Sequence, residues 1–196
     1  MNSLVLATRN AHKAREVRDI LGNDFEVQDL QAYSDIPGIE ETGKTFEENA
    51  VIKALAVSAR VEGWVIADDS GLEVDLLGGA PGVYSARYSG EGATDQRNNA
   101  KLLDELANTC IEQRTARFRC VIALARDNKI VATFPGAVEG RVIDQPRGTT
   151  GFGYDPLFVP NGYEQTFGEL PIGVKSKISH RANALAKLVA YFRRDS

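Results

Sequence analysis

The sequence predicts an α/β fold, because its apolar residues recur with two different periods along the chain. Near the N-terminus a short apolar run, residues 3–7, is followed by a segment with helical spacing. A second apolar run, residues 64–67, has the length of a buried strand. Apolar and polar residues then alternate around a turn in residues 114–134, which is typical of a β-hairpin. A chain of 196 residues is expected to form one compact domain, with room for two lobes around a cleft.

Composition limits the class of partner. Hydrophobic residues make up 43% of the chain and charged residues 26%, which suits a globular protein with a full core. The net charge of −4 argues against a broad surface for a nucleic-acid polymer, so an anionic ligand must meet a few placed cations or a metal. Without a transmembrane-length run or a signal-peptide pattern, we expect a cytoplasmic protein that binds no membrane. Cys110 and Cys120 lack metal-ligand spacing and are expected to be reduced thiols.

The first strand leads into a turn at residues 8–10 and then into a helix. Asn10 is predicted to cap this helix, with Ala11, His12 and Lys13 in its first turn. Free backbone N–H groups at a helix start favour phosphate, and Lys13 would add a positive charge there. The alternative is a plain βα unit whose cap binds no ligand.

A second helix is predicted after a strand at residues 25–30 and an irregular loop. Thr45 followed by Glu48 matches a capping box, so the helix should begin near Phe46 and end near Gly63.

Two acids, Glu40 and Glu41, stand just before this helix, and Asn49 and Lys53 share one of its faces because they lie four positions apart. The two acids are simply solvated unless a second acidic group lies nearby. The pair at residues 68–69 is the candidate for that group.

Asp68 and Asp69 follow directly on the apolar run that ends at Ala67. We expect the strand to end there and a turn to follow at residues 70–71, which would place charge at the carboxyl edge of the sheet. Adjacent carboxylates repel each other, so keeping both ionised requires a cation or hydrogen-bond donors. A solvated turn, in which Asp and Ser satisfy local backbone groups, explains this stretch equally well.

The following elements are predicted from ordinary packing signals. A helix that begins after Thr94 carries leucines within residues 102–106. The turn at residues 127–129 joins the two strands of the hairpin, and residues 138–143 are expected to form a further strand. Another short strand is predicted at residues 157–159.

Two segments near the C-terminus are candidates for ligand binding. Residues 148–156 combine three glycines with Phe152 and Tyr154, which either stack on a flat ligand or pack within a tight loop. Ser179 is predicted to cap the last helix, which places the pair at residues 180–181, His and Arg, in its first turn. Cations there oppose the helix dipole, and this mismatch favours an anionic or base-binding role.

Six motifs occur in this order along the chain. They are Thr8-x-Asn10-x-x-Lys13, residues 40–43 with 45–50, residues 67–72, residues 78–82 with 84–87, residues 152–156 and residues 179–181. Together they closely resemble the Ham1/RdgB family of inosine triphosphate pyrophosphatases, also called dITP/XTP or non-canonical purine NTP pyrophosphatases. The resemblance extends from Leu4 to Leu188.

This resemblance implies an α/β fold with an elongated mixed β-sheet and helices packed in two lobes around a central cleft, all in a single domain over residues 1–196. It implies a Mg²⁺-dependent enzyme that hydrolyses dITP, ITP and XTP to the monophosphate and pyrophosphate. Such an enzyme removes deaminated purines from the nucleotide pool. Small-molecule purine nucleoside triphosphates are therefore the expected partners, and a homodimer is the expected assembly.

The resemblance also implies roles for individual residues. Asp69 is expected to activate water and to bind Mg²⁺ with Glu40 or Glu41, while Asp68 and Glu48 are further candidates for the acidic cluster. The residues expected to bind substrate are Thr8, Arg9, Asn10, Ala11, His12, Lys13, Lys53, Ser70, Phe152, Gly153, Tyr154, Asp155, Lys175, His180 and Arg181.

Within this set, Thr8, Asn10, Lys13 and Lys53 would bind the triphosphate, and the members from residue 152 onward would hold the base and sugar. Hydrogen-bond donors at residues 180–181 suit a purine with a 6-oxo group, and adenine would leave them unpaired.

Two positions depart from the family pattern, since Arg9 and His12 stand where glycine is frequent. A bulky residue there changes how closely the backbone can approach phosphate. A nucleotide-sensing module that no longer turns over is one alternative function, and retention of both acidic pairs disfavours it. A related hydrolase with another base preference, such as a modified-pyrimidine pyrophosphatase, is a second alternative.

Overall fold

The computed structural model describes residues 2–194 and confirms the mixed α/β fold. Its strands are β1 (Asn2–Leu6), β2 (Phe25–Asp29), β3 (Trp64–Val74), β4 (Thr115–Arg126), β5 (Lys129–Val142) and β6 (Phe158–Pro160). They form one sheet in the order β2–β1–β3–β4–β5–β6. The sheet is mixed, because β1 pairs in parallel with β2 and β3 whereas β5 and β6 are antiparallel.

The helices are α1 (Ala11–Leu21), α2 (Phe46–Ser58), α3 (Asp95–Glu105), α4 (Ile172–Ile178) and α5 (His180–Arg194). All except α4 were predicted. Helix α2 ends earlier than predicted, because the N–H groups of Arg60 and Val61 both donate to the carbonyl of Val57 and the chain leaves the helix in a turn. In α4, Lys175 is the buried side chain, so its seven residues offer no helical apolar pattern to detect.

The predicted N-caps of the first three helices are confirmed. Thr45 and Thr94 accept hydrogen bonds within the first turns of α2 and α3. Asn10 Oδ1 accepts from the amides of His12 and Lys13 at 2.9 and 3.1 Å. These two amides are therefore engaged within α1 itself.

The predicted end of the central strand at Ala67 is wrong. Strand β3 continues through both aspartates to Val74. Gly71 serves close packing within this strand, because a Cβ atom there would lie 2.3 Å from Ser85 Oγ. Adjacent side chains of a strand point to opposite faces of the sheet. Asp68 and Asp69 consequently lie on different faces and can have different partners.

The predicted hairpin is formed by β4 and β5. Its two-residue turn consists of Asp127 and Asn128, both with positive φ angles, 50° and 55°. Such a turn matches the twist of the flanking strands. Strand β5 extends to Val142, so the further strand expected over residues 138–143 is the end of β5.

The described chain divides into two compact units, and each has its own core. Unit 1 comprises residues 2–69, 120–136 and 181–194, and unit 2 comprises residues 70–119 and 137–180. Apolar side chains of β1, α1 and α5 form the core of unit 1, together with those from the turn-proximal parts of β4 and β5. The core of unit 2 includes Leu72, Leu102, Phe118, Phe158 and Phe167. The single domain with two lobes around a cleft stays a prediction.

Two expectations from composition can be compared directly with the structure. Cys110 and Cys120 are both free thiols, the first exposed and the second buried. None of the helices within residues 2–194 combines the length and the apolar character that crossing a membrane requires.

Candidate active site

Asp69 lies at the centre of a buried polar cluster in unit 1. Its Oδ1 atom accepts a hydrogen bond from Lys53 Nζ at 2.7 Å, and its Oδ2 atom accepts from Asn49 Nδ2 at 3.3 Å. Lys53 Nζ also donates to Glu41 Oε1 at 2.7 Å. Two acids from distant segments therefore share one ammonium group. We call Glu41, Asn49, Lys53 and Asp69 the Lys53 cluster.

The environment of this cluster changes the proton affinity of its members. Burial raises the pKa of Asp69 above its ordinary value, and the charge of Glu41 adds to this, although Lys53 opposes it. Burial alone would lower the pKa of Lys53, but Asp69 and Glu41 raise it overall. Lys53 therefore stays protonated, and Asp69 is a stronger base than a solvated aspartate.

Asn49 connects Asp69 with the loop before α2. It is fully buried, and its Oδ1 atom accepts from the backbone N–H of Gly43 at 2.8 Å. A Cβ atom at Gly43 would lie 2.6 Å from that oxygen, so the loop approaches this closely only with glycine. Through its amide nitrogen the same side chain holds Asp69. Asn49 thus connects the loop that carries Glu41 to the carboxylate of Asp69.

The other two acids predicted for this region have different positions. Glu40 is exposed. Glu48 Oε2 accepts from the backbone N–H of Lys44 at 2.6 Å, so its carboxylate helps to fix the start of α2. Of the pair at residues 40–41, only Glu41 accepts a hydrogen bond from Lys53 among the described hydrogen bonds.

The carboxylates of the Lys53 cluster fit a magnesium ion whose other ligands are water and substrate oxygens. Within residues 2–194, no three His, Cys, Asp or Glu side chains are grouped so that they could hold a metal ion. Glu41 and Asp69 do offer carboxylate oxygens towards one shared cation, Lys53 Nζ. Mg²⁺ in proteins is usually held by one or two carboxylates together with phosphate oxygens and water. Two acids are therefore enough when a triphosphate supplies the other ligands.

Asp68 has a separate set of partners within unit 1. Its Oδ1 atom pairs with Lys13 Nζ at 2.5 Å, and its Oδ2 atom accepts from Arg181 Nε and from Cys120 Sγ, each at 3.0 Å. Burial would raise the pKa of Asp68, but Arg181 and Lys13 hold it well below its usual range. The expected repulsion between the adjacent aspartates is relieved, because each carboxylate has its own cation.

The pKa values of the two aspartates are thus shifted in opposite directions. Asp68 is the more acidic and stays ionised as an ion-pair partner, whereas the pKa of Asp69 is raised. When an environment separates two like groups in this way, the group of higher pKa is the candidate base. The structure therefore favours Asp69 for proton transfer.

Arg181 is buried at the start of α5, with 1% of its surface exposed. Besides Asp68, its guanidinium forms an ion pair with Glu16 of α1. These two acids raise the pKa of Arg181 despite the opposing effect of burial. They also compensate the unfavourable placement of a cation at a helix start. The mismatch that indicated base binding thus has a structural explanation, and the predicted contact of Arg181 with a base stays a prediction.

In the β1–α1 turn, the side chains mainly hold the backbone. Thr8 Oγ1 accepts from the N–H of Asn10 at 3.2 Å. The guanidinium of Arg9 donates to carbonyls at residues 30, 33 and 36, so it anchors the loop that follows β2. Ala11 and His12 are exposed in the first turn of α1. Lys13 is directed to Asp68.

Unit 2 brings together another group of predicted residues. Asp155 Oδ2 accepts from Lys175 Nζ at 2.5 Å and from the N–H of Phe152 at 2.8 Å. Lys175 Nζ also lies 5.1 Å from the centroid of the Phe152 ring. The Tyr154 hydroxyl donates to the carbonyl of Ser85 at 2.9 Å, and its ring is buried. Of the two aromatics, Phe152 is therefore the one with surface available for stacking.

Two further predicted residues have defined surroundings. The ring of His180 stacks on Phe118, with centroids 4.9 Å apart and planes 13° apart, also within unit 2. Ser70 follows Asp69 in β3 and is half-buried.

Several residues of these groups are absent from the predicted site. They are Glu16, Asn49 and Cys120, together with Asp95 and Asn99, whose side chains hydrogen-bond to the backbone of Gly153. For two pairs a signal exists in the sequence, because Asn49 with Lys53 and Asp95 with Asn99 lie four apart on helices. Cys120 and Glu16 meet Asp68 and Arg181 only through long-range contacts, which spacing does not reveal.

The chain is similar to known proteins over nearly its full length. The model of the Ham1 family matches residues 4–191. Over 190 residues the chain is 54% identical to a dITP/XTP pyrophosphatase from Geobacter sulfurreducens, covering 96% of this chain and 95% of that protein. It is 51% identical over 191 residues to a dITP/XTP pyrophosphatase from Bacillus licheniformis, with 97% of each covered. The solved structure of the Staphylococcus aureus Ham1 protein aligns with a TM-score of 0.88 at 40% identity, covering 100% of both chains.

Proposed function

The chain belongs to the Ham1 family, and from this premise we propose that it is a pyrophosphatase of non-canonical purine nucleoside triphosphates. It hydrolyses dITP, ITP and XTP to the monophosphate and pyrophosphate, and so cleanses the nucleotide pool. The observation that carries this proposal is the Lys53 cluster, in which a buried aspartate of raised pKa shares a lysine with a second acid.

In this reaction Asp69 is the general base. Its Oδ atoms are fixed by Asn49 and Lys53, so the carboxylate is positioned before substrate arrives. The carboxylate accepts a proton from a water molecule as that water attacks the α-phosphorus. The anhydride bond between the α- and β-phosphates breaks, and the electron pair leaves on pyrophosphate. A raised pKa helps, because a base acts best when its pKa approaches the working pH.

Charge neutralisation is the second requirement of phosphoryl transfer. Glu41 and Asp69 would hold Mg²⁺, with Glu40 as a further candidate ligand, and the ion when bound would neutralise charge on the phosphate oxygens. Lys53 remains charged beside these acids and can donate to the triphosphate. Thr8, Asn10 and Lys13 at the start of α1 would bind the remaining phosphate oxygens. The half-buried Ser70, the backbone N–H groups of Arg9 and Ala11, and the exposed side chain of His12 are additional candidates.

We propose that the purine base is recognised mainly by residues of unit 2. We call residues 151–155 the purine loop. Phe152 offers a ring for stacking, while Lys175 and His180 supply donors that suit a purine with a 6-oxo group. Asp155 holds the Lys175 ammonium in place. Arg181 is included as a donor for the base on the strength of the family resemblance, beside its ion pairs with Asp68 and Glu16.

The resemblance further supports a homodimer as the working assembly. Light scattering coupled to gel filtration tests this directly, and we expect about twice the chain mass of 21.3 kDa. A monomer mass at micromolar concentration would contradict a stable dimer.

The activity is tested by incubating the protein with ITP, GTP and ATP, each with and without Mg²⁺, and by detecting pyrophosphate and orthophosphate separately. We expect pyrophosphate from ITP in the presence of Mg²⁺, and much slower release from ATP. Orthophosphate as the product, or equal rates on ATP and ITP, would refute the proposed function.

A further inference from the structure

Gly153, in the purine loop, is held on both of its backbone groups by side chains of α3. Asp95 Oδ2 accepts from the Gly153 N–H at 2.7 Å, and Asn99 Nδ2 donates to the Gly153 carbonyl at 3.0 Å. Asp95 and Asn99 lie four positions apart and so share one face of the helix. Both residues and the loop belong to unit 2.

Gly153 is a residue of the loop that needs such restraint. Its φ angle is +62°, in the left-handed region, and glycine loses more conformational freedom on ordering than any other residue. Its neighbours are fixed by other means, since Asp155 accepts from the Phe152 N–H and the Tyr154 hydroxyl donates to Ser85. With Gly153 also held, three successive residues of the purine loop have a defined position. The direction of the Phe152 ring depends on this backbone.

The same helix restrains a second loop through the neighbouring residue. Asn98 is buried, and its Oδ1 atom accepts from the Ser89 N–H at 2.8 Å. Its Nδ2 atom donates to the carbonyls of Ser85 and Ala86 at 3.3 and 3.2 Å. The Ser85 carbonyl is also the acceptor for Tyr154. Helix α3 is therefore the element on which both loops are fixed.

We propose that Asp95 and Asn99 are positioning residues for purine binding, an inference that rests on the proposed function. They keep the purine loop in its binding conformation, so that binding does not have to overcome the entropy cost of ordering the loop. Removing either side chain should raise KM for ITP about tenfold, the size expected for a lost hydrogen bond with a charged or buried partner. The chemical step depends on the Lys53 cluster, so kcat should change less than about twofold.

The test compares Asp95→Ala and Asn99→Ala with Thr94→Ala as a matched control. Thr94 caps the same helix end by accepting from the Arg97 N–H at 3.2 Å. Its replacement weakens the start of α3 but leaves both side chains that hold Gly153 in place. Asp95→Asn is the conservative variant, because an amide oxygen can still accept from Gly153.

Two measurements are made on all variants: steady-state hydrolysis of ITP, and hydrogen exchange of a peptide containing residues 150–155. We expect Asp95→Ala and Asn99→Ala to raise KM and to speed exchange, with Thr94→Ala unchanged and Asp95→Asn close to wild type. An unchanged KM in Asp95→Ala, or an equal rise in Thr94→Ala, would overturn the inference. If the wild-type protein releases no pyrophosphate from ITP, the proposed function fails. In that case the same four variants are compared by their exchange rates and by their dissociation constants for IMP, and these two comparisons decide the inference.

Discussion

Replacement of Lys53 by Met removes the ammonium group that Glu41 and Asp69 share. Each carboxylate accepts a hydrogen bond from Lys53 Nζ at 2.7 Å, and the side chain of Asp69 is 8% exposed. Without the lysine, a buried carboxylate faces a second negative charge. Breaking a buried ion pair by removing one partner typically costs 3–5 kcal/mol. Since Glu41 is more exposed, we expect the lower end, about 3 kcal/mol of unfolding free energy near pH 7.5.

The pH dependence of this loss has a defined sign. The pKa of Asp69 is already above its unfolded value of 3.8, so the folded state binds this proton more tightly. Stability from that protonation is present below the unfolded pKa and is lost as the pH rises through the folded pKa. The Lys53→Met variant should raise the pKa of Asp69 further, because the opposing charge is gone. The difference from wild type should therefore shrink as the pH falls towards 4.

Urea unfolding at pH 7.5 and pH 4.5, in EDTA, measures both effects. The matched control is Lys44→Met, which removes an exposed lysine just before α2, the helix that carries Lys53. We expect the control to stay within about 0.5 kcal/mol of wild type at both pH values. If Lys53→Met were as stable as this control at pH 7.5, or if its loss were the same at pH 4.5, the shared-cation interpretation would be refuted.

Two further predictions concern the neighbours of this cluster. Asn49→Leu should lower kcat for ITP about tenfold and speed hydrogen exchange at residues 41–44, because both the Gly43 N–H and Asp69 lose a partner; unchanged exchange there would contradict this. Asp68→Asn should destabilise the protein by about 3 kcal/mol in urea unfolding at pH 7, because Arg181 and Lys13 lose a buried charge. Because the pKa of Asp68 is lowered, its contribution to wild-type stability is present above pH 3.8 and is lost only as the pH falls through the folded pKa. The Asp68→Asn variant should therefore lose as much stability at pH 5 as at pH 7. A smaller loss at pH 5 would contradict this prediction.

The secondary structure was largely predictable because it follows local rules. The caps at Asn10, Thr45 and Thr94 are side-chain interactions within one helical turn, and the structure forms all three. The hairpin turn at residues 127–128 likewise depends on neighbouring residues. Each of these elements could be predicted from a few adjacent positions.

The path of β3 could not be predicted in this way. Two acids followed by Ser-Gly favour a turn locally, yet the strand continues because each acid finds a distant cation. Arg181 reaches Asp68 from 113 positions further along the chain, and Lys53 reaches Asp69 from α2. Tertiary ion pairs thus override the local preference for a turn.

The candidate site shows the same division. The shared face of Asn49 and Lys53 was predictable from helical spacing, and both side chains contact Asp69. Spacing could not distinguish Glu40 from Glu41, because adjacent loop residues carry no fixed direction. The contacts of Asp95 and Asn99 go to backbone atoms of Gly153, and a backbone acceptor or donor has no signature in the sequence.

Pyrophosphate release from ITP by Asp69→Asn, compared with wild type under saturating Mg²⁺, tests the central claim most directly. An asparagine keeps the size and can retain contacts with Asn49 and Lys53, but it cannot take a proton from water. We predict a kcat about a thousandfold lower in a protein that still unfolds cooperatively. A folded Asp69→Asn variant that kept most of the wild-type rate would show that another group activates the water.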